Sequence, residues 1–129
     1  MTVIRIATDG RYERVRIPVA GAQSFDEVVR PMLGGANTVP APVYMTHDWN
    51  DVDRGVGKCV VMLVDDAPKK IASNKNMLAS KLLVTSSGRA FFQLYGNVVI
   101  VARANGRCYS LSSRQLKMVE DTLLSLIAK

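Results

Sequence analysis

The chain has 129 residues, 48% hydrophobic and 22% charged, with 17 Lys and Arg against 11 Asp and Glu for a net charge of +6. That composition supports one domain with a real core and excludes a disordered chain. No run of about 18 apolar residues occurs, so no transmembrane helix and no membrane partner are expected. The positive balance favours anionic partners, although the basic residues are spread along the chain.

In chain order, Thr2–Thr8 and Arg11–Val19 read as two strands joined by Asp9-Gly10. Asp-Gly predicts a two-residue type I′ turn. In that register Thr8 faces Arg11, Ile6 faces Glu13, Arg5 faces Arg14, Ile4 faces Val15 and Val3 faces Arg16. Alternation then puts Ile4, Ile6, Val15 and Ile17 on one face, and Arg5, Arg14 and Arg16 on the other with Tyr12. Like charges directly opposite each other destabilise a sheet. An anion, a carboxylate such as Glu27, or a partner chain would offset the repulsion. Guanidinium forks suit phosphate, so Arg5, Tyr12, Arg14 and Arg16 are candidate ligand contacts.

Ala20–Gln23 is a connection. Ser24 with Glu27 three residues on matches a capping box, and predicts a helix from Phe25 to Leu33. Pro31 limits it and Gly34-Gly35 ends it. Thr38–Met45 holds Pro40 and Pro42, so it reads as an edge or irregular strand. Thr46–Gly57 is the longest polar loop. It groups His47, Asp48, Asn50, Asp51 and Asp53 around Trp49. The spacing fails the calcium-loop pattern, so no metal is assigned. Trp49 is either a cap over the core or a contact for a partner or a base, and so joins the candidate ligand contacts.

Lys58–Val64 is a continuous apolar run and predicts a central strand. Asp65–Pro68 makes a turn and Ile71-Ala72 a short return strand. Ser73 or Asn74 should cap a helix through Leu83, with Lys75 at its start. A helix N-terminus beside a lysine suits an anion, so Lys75 joins the candidate contacts. Ala90–Leu94 predicts a strand that buries Phe91 and Phe92 alternately, broken at Tyr95-Gly96-Asn97. Asn97–Arg103 and Arg107–Leu111 form a second hairpin around Asn105-Gly106. Ser112 and Gln115 predict a capping box for a final helix, Ser113 to Ala128, with Leu116, Val119, Leu123, Leu126 and Ile127 on one side and Leu124 broadening it. Cys59 and Cys108 read as buried thiols of a cytoplasmic protein, since MTVIRIATDG is no signal peptide. Together these elements predict a single α+β domain, residues 1–129, with a mainly antiparallel sheet, two short helices and a C-terminal helix packed on it.

No catalytic or cofactor motif stands out. His47 is the only histidine and no G-x-S-x-G elbow accompanies it, so neither catalytic residues nor a cofactor are assigned. The run VVMLVDDAPKKIASNKNMLAS followed by FFQLYGNVVIVA resembles a small domain family of unknown function common in phages, prophages and mobile elements. The resembling features are Val60–Asp66, Asn74 with Ala79, Gly96-Asn97 before Val98–Ala102, and the pair Gly34-Gly35 after Leu33. Where that family has a glycine in the acidic turn, this chain has Ala67-Pro68. The resemblance implies a viral or mobile-element accessory protein in the host cytoplasm, and not an enzyme. The resulting expectation is a non-enzymatic homo-oligomer that binds a small, nucleotide-like anion on its arginine face. The alternatives are a nucleic-acid-binding accessory protein and a protein-interaction or self-assembly module.

Overall fold

The computed structural model describes residues 1–18, 25–35, 38–53, 55–88 and 90–128. Apolar runs and turn residues alternate along the chain, and they build strands paired antiparallel throughout. The elements are β1 (Thr2–Ile6), β2 (Tyr12–Arg16), α1 (Phe25–Leu33), β3 (Pro40–Tyr44), β4 (Asp51–Asp53), β5 (Val56–Asp65), α2 (Met77–Ser87), β6 (Val98–Ala104), β7 (Arg107–Tyr109) and α3 (Ser113–Ile127). The sheet runs β2-β1-β6-β5-β3, with β4 added to β5 and β7 added to β6. It is an α+β domain.

β5 and β6 are apolar at successive positions because both faces of the sheet are covered. One face, with Ile4, Ile6, Val60, Met62, Val98 and Ile100, packs on Leu78, Leu82 and Leu83 of α2 and on Leu116, Val119 and Leu123 of α3. The opposite face, with Val3, Ile17, Val61, Leu63, Val99 and Val101, packs on Val29 and Leu33 of α1. Helix α3 starts as expected: Ser112 accepts from the Gln115 N–H, and the Gln115 side chain accepts from the Ser112 N–H. Asn105 and Gly106 have φ of 52° and 75°, the left-handed pair that a type I′ turn requires. The cap expected at Ser24 and the connection Ala20–Gln23 lie outside the described residues.

The edge strand β3 carries its prolines at harmless positions. Met45 N–H donates to Val60 and the Val39 carbonyl accepts from Asp66, so odd-numbered residues face β5. Pro40 and Pro42 therefore point their missing N–H groups outward. That outer edge offers carbonyls but almost no donors, and a further strand cannot pair with it well.

Three expectations fail around α2. No strand forms at Ile71-Ala72, where Ala72–Asn74 make one 3-10 turn. The helix cap is Asn76, not Ser73 or Asn74, and the helix continues past Leu83 to Ser87. Gly88, at φ 67°, supplies the left-handed C-cap. No strand forms at Ala90–Leu94 either, apart from one bridge between Lys75 and Tyr95. Asn76 accounts for the helix start and for the path of the chain into Leu94. Its side chain is fully buried and donates to the Ile6 carbonyl of β1 at 3.0 Å and to the Gly96 carbonyl at 2.9 Å. Its Oδ1 accepts the Ala79 N–H at 3.1 Å. One amide thus ties α2, β1 and the approach to β6 together. Asn76→Ala removes a helix cap and strands two buried carbonyls, so it is expected to lower unfolding free energy by about 2–4 kcal/mol. Urea unfolding measures this, and a loss under about 1 kcal/mol contradicts the central role given to this amide.

Candidate functional site

The first hairpin does not have the predicted register. Ala7 N–H donates to the Arg11 carbonyl and Gly10 N–H to the Ala7 carbonyl, which makes Thr8-Asp9-Gly10 a three-residue loop. Gly10 has φ 87°, whereas Asp9 is not in the left-handed region. This is a type I turn closed by a glycine bulge, not a type I′ turn. The Asp9 carboxylate accepts the Arg11 N–H at 3.0 Å and holds the turn. The pairs become Thr2 with Arg16, Val3 with Val15, Ile4 with Arg14, Arg5 with Glu13 and Ile6 with Tyr12.

A shift of one residue flips β2 relative to β1. Arg5 therefore shares the α1 face with Glu13, Val15 and Ile17. Tyr12, Arg14 and Arg16 share the other face with Ile4 and Ile6. The continuous arginine face is not present, and the like-charge pair that suggested an anion is gone. Arg5 faces Glu13 at 3.8 Å and donates weakly to the Met32 carbonyl at 3.4 Å. Arg14 is held by Glu120 of α3, with Nε 2.7 Å from the carboxylate. Arg16 is exposed and has no ion pair among the described residues.

Trp49 is 6% exposed and belongs to the core, so it caps the sheet and offers no ring to a partner. The polar loop around it is fastened to the start of α3. Arg114 donates to the Asn50 and Asp48 carbonyls at 2.8 and 3.2 Å. Gln115, itself buried, donates to the Trp49 and Lys58 carbonyls. The Ser112 hydroxyl donates to the Asp51 carboxylate at 2.7 Å. His47 is exposed with its ring 3.5 Å from the Asn50 amide. The loop is thus shorter than predicted, since β4 continues the β5 hairpin through it. Arg114 escaped the sequence reading because backbone carbonyl acceptors leave no mark in side-chain patterns.

Lys75 follows the 3-10 turn and lies exposed before α2, not on the helix. Next to it the segment Ala90–Tyr95 runs as irregular chain. Ser80 of α2 accepts the Leu94 N–H at 2.8 Å, and the Gln93 amide donates to the same hydroxyl. That anchor buries Leu94 and turns its neighbours outward. Phe91 and Phe92 are 64% and 58% exposed, contrary to the buried strand expected of them. Phe92 forms one wall of a groove of about 390 Å³. Ala41, Val43, Val64 and Leu94 give it an apolar floor, and Asp65, Asp66 and Lys70 stand on its rim.

A second cleft, of about 520 Å³, lies on the other side of Asp65-Asp66. Leu33, Gly34, Gly35, Asn74 and Gly96 line it. Cys59 and Cys108 are partly exposed and are not joined in a disulfide. Both flank Arg103 across β6. With one strand between them their Cα atoms are about 10 Å apart, too far for a disulfide.

Comparison with known proteins adds nothing to this geometry: no family model, no curated protein and no solved structure matches the chain.

The Ser112 hydroxyl, then the Val52 N–H, hold the Asp51 carboxyl below its usual range, with smaller help from Arg114 and Lys58. A depressed folded value gives stabilisation that is complete above the unfolded aspartate range. It is lost as pH falls through the folded value. Asp51→Asn should therefore lower the urea midpoint near neutrality, and its profile should converge with the parent's as the pH falls through the depressed folded value. Parallel profiles for the two proteins would show that Asp51 contributes no such linkage.

Proposed function

We propose that this chain is a non-enzymatic protein-interaction module that receives an apolar segment of another protein in the groove beside β3. The observation that carries this reading is the exposed ring of Phe92 at an apolar groove, with Phe91 exposed next to it in the chain. Interfaces pair an apolar, aromatic-rich centre with a polar rim. Here the rim is of mixed sign, Asp65 and Asp66 against Lys70. A phosphate-binding surface is far more positive than that, so the rim favours a protein segment over a nucleic acid. The Asp65-Asp66 pair suits a partner whose apolar anchor is followed by Lys or Arg.

The small-anion reading loses its basis with the arginine face. Arg5 and Arg14 already have carboxylate partners, and recruiting either to a ligand means breaking an ion pair. The viral or mobile-element setting implied by the resemblance fits an adaptor of this kind. It supplies no site residue.

A random-peptide display selection against the purified protein tests the proposal. Selected peptides should converge on an aromatic or aliphatic anchor next to a basic residue. Phe92→Ser should weaken them by roughly tenfold or more while leaving thermal stability unchanged, because that ring is exposed. Peptides that bind Phe92→Ser as well as the parent sink the reading. Tight, steeply salt-dependent binding of a single-stranded oligonucleotide that Phe92→Ser abolishes would favour the nucleic-acid alternative.

A further inference from the structure

The two edges of the sheet are protected very differently. On β3, prolines occupy outward-facing positions. On β2, the pairs Ala7 with Arg11 and Met1 with Ile17 are hydrogen-bonded, so odd-numbered residues face β1. Tyr12, Arg14 and Arg16 therefore point their N–H and C=O groups away from the sheet. Among the described residues nothing accepts or donates to them. Within β2 this edge has no proline, no lysine and no bulge, so no backbone donor is withheld; its protection is limited to the charges of Glu13, Arg14 and Arg16, of which Glu13 and Arg14 already face opposite charges.

A second feature lies above the same edge. Glu120 of α3 reaches over β2 to hold Arg14. Leu124 and Ile127 follow Glu120 at i+4 and i+7, so they share its helix stripe. They are 54% and 52% exposed, while Leu116, Val119 and Leu123 on the adjoining stripe are buried. The expectation that Leu124 would pack on this chain's own sheet is not met. The helix thus carries uncovered apolar side chains on the flank that overhangs the open strand.

We propose that β2 pairs antiparallel with β2 of a second copy of this chain, about a two-fold axis at Arg14, and that the two α3 helices pack on each other along Leu124 and Ile127. The edge is self-complementary in this register. Arg14 meets Arg14 of the second copy, but Glu120 from each chain neutralises them, so the like-charge repulsion is answered within each subunit. Tyr12 meets Arg16, a phenol ring beside a guanidinium that has no ion pair among the described residues. Glu13 meets Val15 on the opposite face. The outward N–H and C=O of Tyr12, Arg14 and Arg16 all find partners, and one continuous sheet crosses the axis. An isologous contact of this type closes on itself and stops at the dimer. It uses the opposite edge of the sheet from the groove and does not depend on the reading given to that groove.

Sedimentation velocity on the intact protein at tens of micromolar tests the assembly. The expected species has twice the 14.1 kDa chain mass. Arg16→Pro removes one outward N–H and leaves every β1–β2 hydrogen bond in place. Leu124→Glu puts a charge on the helix contact without touching β2. Each is expected to weaken the dimer by roughly tenfold or more, with an unchanged far-ultraviolet circular dichroism spectrum. A monomeric parent protein overturns the proposal, as does a dimer that Leu124→Glu leaves intact. Should Arg16→Pro disturb the hairpin itself, the Leu124→Glu result still decides.

Discussion

The buried amide of Asn76 is the joint on which the rest of the arrangement depends. Its two N–H groups and its oxygen are all used, between β1, the turn before β6 and the first turn of α2. Its backbone N–H donates to the Leu94 carbonyl, and its own carbonyl accepts from the Ser80 N–H and hydroxyl. Ser80 in turn holds Leu94 and Gln93. A buried polar network is stabilising only when every member is satisfied, and this one is. Its consequence reaches the surface. Because Leu94 is pinned inward by backbone bonds to α2, the chain ahead of it cannot join the sheet, and Phe91 and Phe92 are left facing solvent.

The hairpins show how local chemistry decides the faces of a sheet. Asp9-Gly10 and Asn105-Gly106 look alike in sequence, yet only the second is a type I′ turn. Asparagine at 105 adopts φ 52°, while Asp9 stays outside that region and lets Gly10 alone take the left-handed position. The extra loop residue moves Val15 and Ile17 into the core under α1, and brings Glu13 opposite Arg5. Both outcomes lower the energy relative to the type I′ register, where Arg5 would face Arg14 and the carboxylate would lie among isoleucines. The charges alone contained a hint of the true pairing, since it sets Arg5 opposite Glu13 instead of opposite Arg14.

Legibility followed the range of the interactions. Segments whose structure is set by their own pattern were readable: the apolar β5 and β6, the Ser112–Gln115 cap, helix α1 and the edge position of β3. The failures lie where a distant partner decides. Asn74 and Asn76 are equally good caps by local rules, and only the carbonyls of Ile6 and Gly96 select Asn76. Trp49 sits in a polar loop that is shaped by Arg114 and Gln115 from more than sixty positions away. The candidate site suffered most. Arg5, Arg14 and Arg16 were assigned through a register, and a register error of one residue changes every face. The groove was invisible because its walls come from β3, β5 and an irregular segment.

The contrast between the two sheet edges has a consequence for how each could work. Beside β3 the prolines withhold backbone donors, so whatever occupies the adjoining groove must be recognised through side chains, by apolar fit and by the rim charges. Selectivity there resides in which residues a partner presents. At β2 the reverse holds. Backbone groups are offered freely, and such groups are the same in every chain, so the edge by itself would accept any extended strand. What narrows the choice is the pattern above it: Glu120 already occupied by Arg14, an Arg16 with no ion pair among the described residues, and Leu124 with Ile127 exposed on the Glu120 side of α3. A foreign strand covers the hydrogen-bonding groups and leaves those leucine and isoleucine side chains in water. A second copy brings its own α3 and covers them as well, so apolar burial adds to backbone pairing only for the homodimer.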